Sequence, residues 1–200
     1  MLLRSELIDS SRDSRRARRE AIFVGVLLCG IVAASVCGAW FYSIRTAREN
    51  FEARLTAFAR AAALQVDTEL HDQIRHPSQI DGPEYRAAVE PLRRMRAAIP
   101  EIRFIYTIVR DGEDVRIILD AADPGDNDRD GIEDRPNVWE LSVSQQDAKQ
   151  YALGWRGLAP RVAATEEPYR DKWGTFMSGY APFYGADGKP AGAVGVDVDA

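Results

Sequence analysis

The rhythm of apolar and polar positions changes three times along this chain. Residues Ala21 to Ser43 read AIFVGVLLCGIVAASVCGAWFYS, apolar on every side and without charge. As a helix rising about 1.5 Å per residue, such a run crosses a hydrocarbon layer of about 30 Å with room for tilt. Arg18, Arg19 and Glu20 close one end, and Arg45 and Arg48 the other. Trp40, Phe41 and Tyr42 stand where an interfacial aromatic belt belongs. Beyond the span the pattern becomes helical: Phe51, Leu55, Phe58, Ala62, Val66, Leu70 and Ile74 recur at three- and four-residue steps. No proline or glycine interrupts Ile44 to Ile74, which predicts one rod continuing out of the membrane helix.

The third rhythm is that of strands. His76 to Pro83 is a turn-rich break, and a helix over about Glu84 to Ala98 follows, with Pro83 at its first turn and Pro100 past its end. Ile102 to Val109 and Val115 to Ala121 are β-branched and aromatic, joined by a hairpin loop at Asp111 to Asp114. An acidic loop spans about Ala122 to Asn137, with a short strand near Val138 to Val143 and a mixed, partly helical stretch over Ser144 to Ala164. A second hairpin runs from Gly174 to Tyr184, turns at Gly185 to Lys189 and returns from Ala191 to Val198. Tight turns make neighbouring strands antiparallel. The expected class is α+β: a transmembrane helix continuing into a long helix, then helices segregated to one side of a central antiparallel sheet.

Charge decides the orientation. Arg4, Arg12, Arg15, Arg16, Arg18 and Arg19 crowd the first twenty residues, which places residues 1–20 in the cytoplasm and 44–200 outside it. A cleaved signal peptide has an apolar region of only about 7–15 residues and a small-residue cleavage site. Here the run is longer and ends on bulky Trp40, Phe41 and Tyr42, so residues 21–43 are read as a retained anchor in the cell inner membrane, with the following domain periplasmic. Cys29 and Cys37 both lie in the span, leaving no cysteine to pair outside. The net charge of −5 and the lack of a basic stripe with interleaved aromatics argue against nucleic acid as a partner. Gly30, Ala34 and Gly38 recur every fourth residue, a stripe on which two membrane helices could approach as a homodimer, or ordinary membrane-helix composition.

The segment Glu167-Pro-Tyr169-Arg-Asp171-Lys-Trp173-Gly174, followed by Ser178-Gly-Tyr180-Ala-Pro182, Asp187-Gly188 and Val194-Gly-Val-Asp197, resembles extracytoplasmic Cache domains. These are PAS-like sensors of bacterial chemoreceptors, sensor kinases and nucleotide cyclases. The resemblance covers about Ile44 to the C-terminus. It implies a pocket for a small-molecule ligand, such as an amino acid or organic acid, on the sheet face opposite the long helix. It also implies a cytoplasmic output module, and the sequence reads as the sensory front end of a longer receptor. In the amino-acid-binding branch an aromatic–arginine–tryptophan group and a later tyrosine and aspartate hold the ligand; Tyr169 and Asp197 fall at the last two places, while Arg135 and Trp139 do not have the spacing of the first group. Tyr106, Trp139, Trp173 and Tyr180 complete the candidate ligand-binding set. The plain alternative is core packing for the aromatics and a strand-end cap for Asp197.

Asp126, Asp128 and Asp130 alternate before Gly131, and Asp134 follows, in the manner of a loop that wraps a cation. Ca²⁺ takes six to eight oxygens, and carboxylates this close repel one another without it. The twelfth position of the loop is Asn137 where an EF-hand needs glutamate. Ca²⁺ is therefore the candidate cofactor, with a solvated acidic turn as the alternative and a calcium-stabilised interaction domain as the corresponding reading of the whole. No catalytic residues are assigned. His71 and His76 are expected at the surface, there is no Gly-x-Ser-x-Gly or phosphate-binding glycine loop, and no exported cysteine is present for nucleophilic work.

Overall fold

A computed structural model describes the backbone of residues 2–122, 125–126, 130–140, 152–154 and 159–200, with side-chain surroundings from Arg16 onward. The chain divides into two compact units, residues 1–49 and 50–200. Helix α1 (Leu2–Ala63) supplies all of the first unit and opens the second. It is long and apolar enough to cross a membrane. In the first unit Ile22, Phe23, Val26, Val32, Val36 and Phe41 all face outward, a contiguous apolar surface that a soluble monomer does not leave bare. Ser35 Oγ donates to the Ile31 carbonyl at 2.8 Å, so its one polar group is satisfied within the helix.

In the second unit α1 turns amphipathic. Leu55, Ala59 and Ala62 are buried and Phe58 packs beside them. The helix ends at Ala63, eleven residues short of the expected Ile74. Leu64 and Gln65 turn the chain, and the Asp67 carboxylate accepts from the amides of Glu69 and Leu70 at 3.0 and 3.1 Å, starting α2 (Thr68–Gln73) afresh. An aspartate ready to cap outweighed unbroken helical periodicity. In the turn beyond α2, Gln79 Oε1 accepts from the amides of Arg75 and His76, and Pro83 then opens α3 (Pro83–Ala98).

Among the described residues six antiparallel strands follow: β1 (Ile102–Asp111), β2 (Asp114–Asp120), β3 (Ala163–Ala164), β4 (Tyr169–Arg170), β5 (Thr175–Tyr184) and β6 (Pro190–Asp199). Their order is β2-β1-β6-β5-β3, with β4 also on β5. Both expected hairpins form, and the last strand pairs with the first at the centre of the sheet, Thr107 opposite Val194. The class is α+β with a central antiparallel sheet, the arrangement of PAS-like sensor domains. Residues 139–140 lie along the outer edge of β2, bonded through Trp139 N to Ile117 O at 2.7 Å and Ile117 N to Glu140 O at 3.0 Å.

Alternation along the strands gives the sheet two different faces. On one, Ala59, Ala62, Val89 and Leu92 from the helices cover Ile105, Leu119, Ala181, Phe183, Val194 and Val196. Gly179 lets the α1 backbone approach here, since a Cβ at this position would lie 2.5 Å from the Leu55 carbonyl oxygen. His71 also sits on this face, buried rather than at the surface as expected. Its Nε2 lies 3.0 Å from Thr107 Oγ1, which itself accepts from the amide of Leu119. Which of the two donates depends on the ring tautomer, and burial drives the imidazole down to about 4, keeping it neutral. On the other face lie Phe104, Tyr106, Ile108, Val115, Tyr180 and Ala193, with Ala152 and Leu153 packed over them.

Candidate functional site

The face away from the helices carries a cluster of hydroxyls around one carboxylate. Positions 176, 178 and 180 of β5 point to it together, as do 193, 195 and 197 of β6 and 104, 106 and 108 of β1. Register sets Ser178 opposite Asp197 and Tyr106 opposite Gly195. Only glycine suits the latter place, because a Cβ there would lie 2.5 Å from the Tyr106 ring. The ring therefore lies across β6 and brings its hydroxyl to Asp197.

Ser178 Oγ donates to Asp197 Oδ1 at 2.5 Å and Tyr106 Oη to the same oxygen at 3.2 Å. Tyr180 Oη is 3.3 Å from Tyr106 Oη, and Tyr169 Oη, from β4, is 3.0 Å from Ser178 Oγ. Ser178, Tyr180 and Asp197 are buried, and Tyr169 is half-buried at the margin. Asp171 shapes the approach to this margin: its Oδ1 accepts from the amides of Trp173 and Gly174 at 2.8 and 3.1 Å. Trp173 and Phe176 both meet Phe104 edge-on, at 6.4 and 5.5 Å between ring centroids. The result is an aromatic wall beside a polar centre.

Electrostatically the cluster is poised. Burial pushes the Asp197 carboxyl up to about 7, against hydrogen bonds from Ser178, Tyr169 and Tyr106 that favour its charged form. Burial and the Asp197 charge hold the Tyr106 and Tyr180 phenols well above 10. A carboxylate in this position is unmatched by any cation among the hydrogen-bond partners described, all of which are hydroxyls. Such a group gains most from a ligand that brings a positive charge or a strong donor.

Four of the six candidate ligand residues, Tyr106, Tyr169, Tyr180 and Asp197, are brought together, and Trp173 adjoins them through Phe104. Trp139 is not among them. Its indole Nε1 donates to the Ile74 carbonyl at 3.0 Å and the side chain packs with the helix-side core, its backbone held at φ +60°. The reason is local: residue 139 pairs with the outer edge of β2, away from β5 and β6. Ser178 was not anticipated as a site residue. Its even spacing with Tyr180 on a strand was the available signal.

In the acidic loop Asp128 lies outside the described residues. Asp126 Oδ1 and Oδ2 accept from the amides of Asp130 and Gly131 at 3.0 and 2.9 Å, and Asp130 Oδ1 from that of Ile132 at 2.8 Å. Asp134 pairs through its amide with the Gly125 carbonyl. Among the described residues no three His, Cys, Asp or Glu side chains gather as a metal site, and these carboxylates organise the loop's own backbone. Asp120, buried at the end of β2, anchors the loop by accepting from Asn137 N and Nδ2 at 2.9 and 3.0 Å. A cavity of about 640 Å³ lies between this loop and α3, on the opposite side of the sheet from the hydroxyl cluster.

No family model and no curated protein matches the chain. Among solved structures it is similar to sensory domains of the Campylobacter jejuni chemoreceptor Tlp3. One, the ligand-binding domain in complex with 4-methylisoleucine, is 18% identical over 76% of this chain and 52% of that one, with a TM-score of 0.44. The sensory domain of the same receptor gives 20% identity over 76% and 54%, and its L-valine complex 20% over 76% and 53%, both at a TM-score of 0.41. The chain spans about half the length of these domains.

Proposed function

We propose that this chain is the ligand-sensing region of a membrane receptor of the Cache kind, without catalysis of its own. The observation that carries the reading is the buried Asp197 carboxylate, ringed by Ser178, Tyr106, Tyr169 and Tyr180 beside an aromatic wall. Groups that bury a carboxylate among hydroxyls weaken the fold, and recognition accounts for what packing does not. The ligand is a small organic molecule with an ammonium group, an amino acid foremost, whose charge meets Asp197 and whose apolar part meets Trp173, Phe104 and Phe176.

Residues 21–43 anchor the receptor in the cell inner membrane, with the N-terminus cytoplasmic and the sensor periplasmic. Binding acts on a cytoplasmic output module of the same receptor through α1, which contributes Leu55 and Ala59 to the sensor core and carries the apolar span. A ligand can move such a system only by its differential affinity for two conformations. Receptor copies pair along Gly30, Ala34 and Gly38.

The test is a melting-temperature panel of amino acids, amines and organic acids on the full chain in nanodiscs. Stabilisation by an ammonium-bearing compound, lost in Asp197→Asn, is expected. A panel in which nothing shifts the wild type, or in which Asp197→Asn responds equally, sinks the proposal.

A further inference from the structure

The helix-side cavity is lined by arginine to an extent the sensing function does not use. On α3, Arg86, Arg93 and Arg94 fall at helical spacing on the wall of the cavity, and Arg135 comes from the facing loop. Arg96 lines it as well and donates through Nη1 to the Arg103 carbonyl. Acidic side chains are present too: Asp81, Glu90, Glu133 and Asp134. Five guanidinium groups face four lining carboxylates, and the buried Asp120 carboxyl behind them feels the charge of Arg93.

How these charges are matched decides what the cavity can hold. Arg86 Nε and Nη2 both donate to the Asp81 backbone carbonyl, a neutral acceptor, so its fork is fixed while its charge stays available. Glu90 lies 3.8 Å from Arg94 Nε, at a solvated edge where such pairs count for little. Arg93 acts on the buried Asp120 carboxyl by charge, while its Nε is buried and, among the described residues, has no hydrogen-bond partner. A buried donor without an acceptor carries its full desolvation cost. Guanidinium groups match the oxygens of phosphate and carboxylate in pairs, and a cavity of about 640 Å³ is of metabolite size.

We infer that the cleft between α3 and the acidic loop is a second binding site, for a small oxyanion bearing phosphate or carboxylate oxygens, with Arg93 as its central donor and Arg86 and Arg135 on either wall. It is separate from the Asp197 cluster in place and in charge preference. The loop residues 133–136 that line it lead directly to Asn137, which is held by the Asp120 carboxylate.

The full chain in detergent micelles is titrated with inorganic phosphate, and separately with succinate, at ionic strength held constant with sodium chloride. A saturable rise in melting temperature with at least one of the two is expected. Arg93→Gln should weaken it at least tenfold and Arg135→Gln, at an exposed position, about threefold, while Asp197→Asn leaves it unchanged. Should Arg93→Gln fail to fold, Arg135→Gln alone decides. No saturable response to either anion, or responses that both arginine variants share with wild type, overturns the proposal. Because Asp197→Asn tests the sensing site independently, failure of one reading is distinguishable from failure of the other.

Discussion

The two faces of the sheet are made of the same strands and handle polarity in opposite ways. On the helix side a polar pair, His71 with Thr107, is closed upon itself: the ring is neutral, its nitrogen has a hydroxyl partner, and Phe183 covers it edge-on at 4.9 Å. On the other side Asp197 keeps an acid that burial has made reluctant to ionise, surrounded by hydroxyls that could turn toward something else. The first arrangement joins α2 to β1. The second costs stability and leaves chemistry in reach. The two faces can thus be told apart by how their buried polar groups are satisfied.

The sharpest contrast is in packing. Leu92→Ala on the helix face removes a fully buried side chain and is expected to cost about 2–5 kcal/mol by denaturant unfolding, with ligand response retained in the folded fraction. Loss of response at full stability would break the comparison.

Next in size is pH dependence. The folded pKa of Asp197 lies near 7, above the ordinary 3.8, so between about pH 4 and 7 the folded state holds a proton that the unfolded state has released. Asp197 therefore makes the protein lose stability as pH rises through this window, on the order of 2–4 kcal/mol, and the burial of Asp120 acts with the same sign. His71, depressed from 6.5 to about 4, does the reverse: its contribution is complete above about 6.5 and is lost as pH falls toward 4. Melting curves of wild type, Asp197→Asn and His71→Gln across pH 4–8 separate the two. Asp197→Asn is expected to flatten the fall with rising pH and to raise stability at neutral pH; an unchanged slope contradicts the burial of an ionisable group there.

Gly195→Ala places a methyl against the Tyr106 ring and is expected to cost about 1–3 kcal/mol and to abolish ligand response together, read by melting temperature with and without ligand. The smallest effect is at the margin: Tyr169→Phe removes one hydroxyl from Ser178 and should cost about 0.5–1.5 kcal/mol at most in apo stability while weakening binding more than that. Equal losses in both would make Tyr169 a packing residue.

Much of this was legible in sequence because it is local. The two hairpins announced themselves by β-branched runs around Asp111 to Asp114 and Gly185 to Lys189, and α3 by Pro83 and its apolar spacing. What was not legible depends on distant pairing. The end of α1 at Ala63 turned on one capping aspartate, and the burial of His71 on Thr107, thirty-six residues away. Trp139 went to the helix side because its backbone joined the outer edge of β2. Family resemblance indicated Tyr169 and Asp197; the pairing of β1 with β6, which brings Tyr106 to Asp197, was not legible.

The most direct measurement of the central claim is calorimetric titration, at pH 8, of the stabilising ammonium compound into wild type and Asp197→Asn. An affinity at least tenfold weaker in Asp197→Asn, with an intact fold by circular dichroism, is the expected result. Equal affinities in the two proteins would contradict the assignment of this face to ligand recognition.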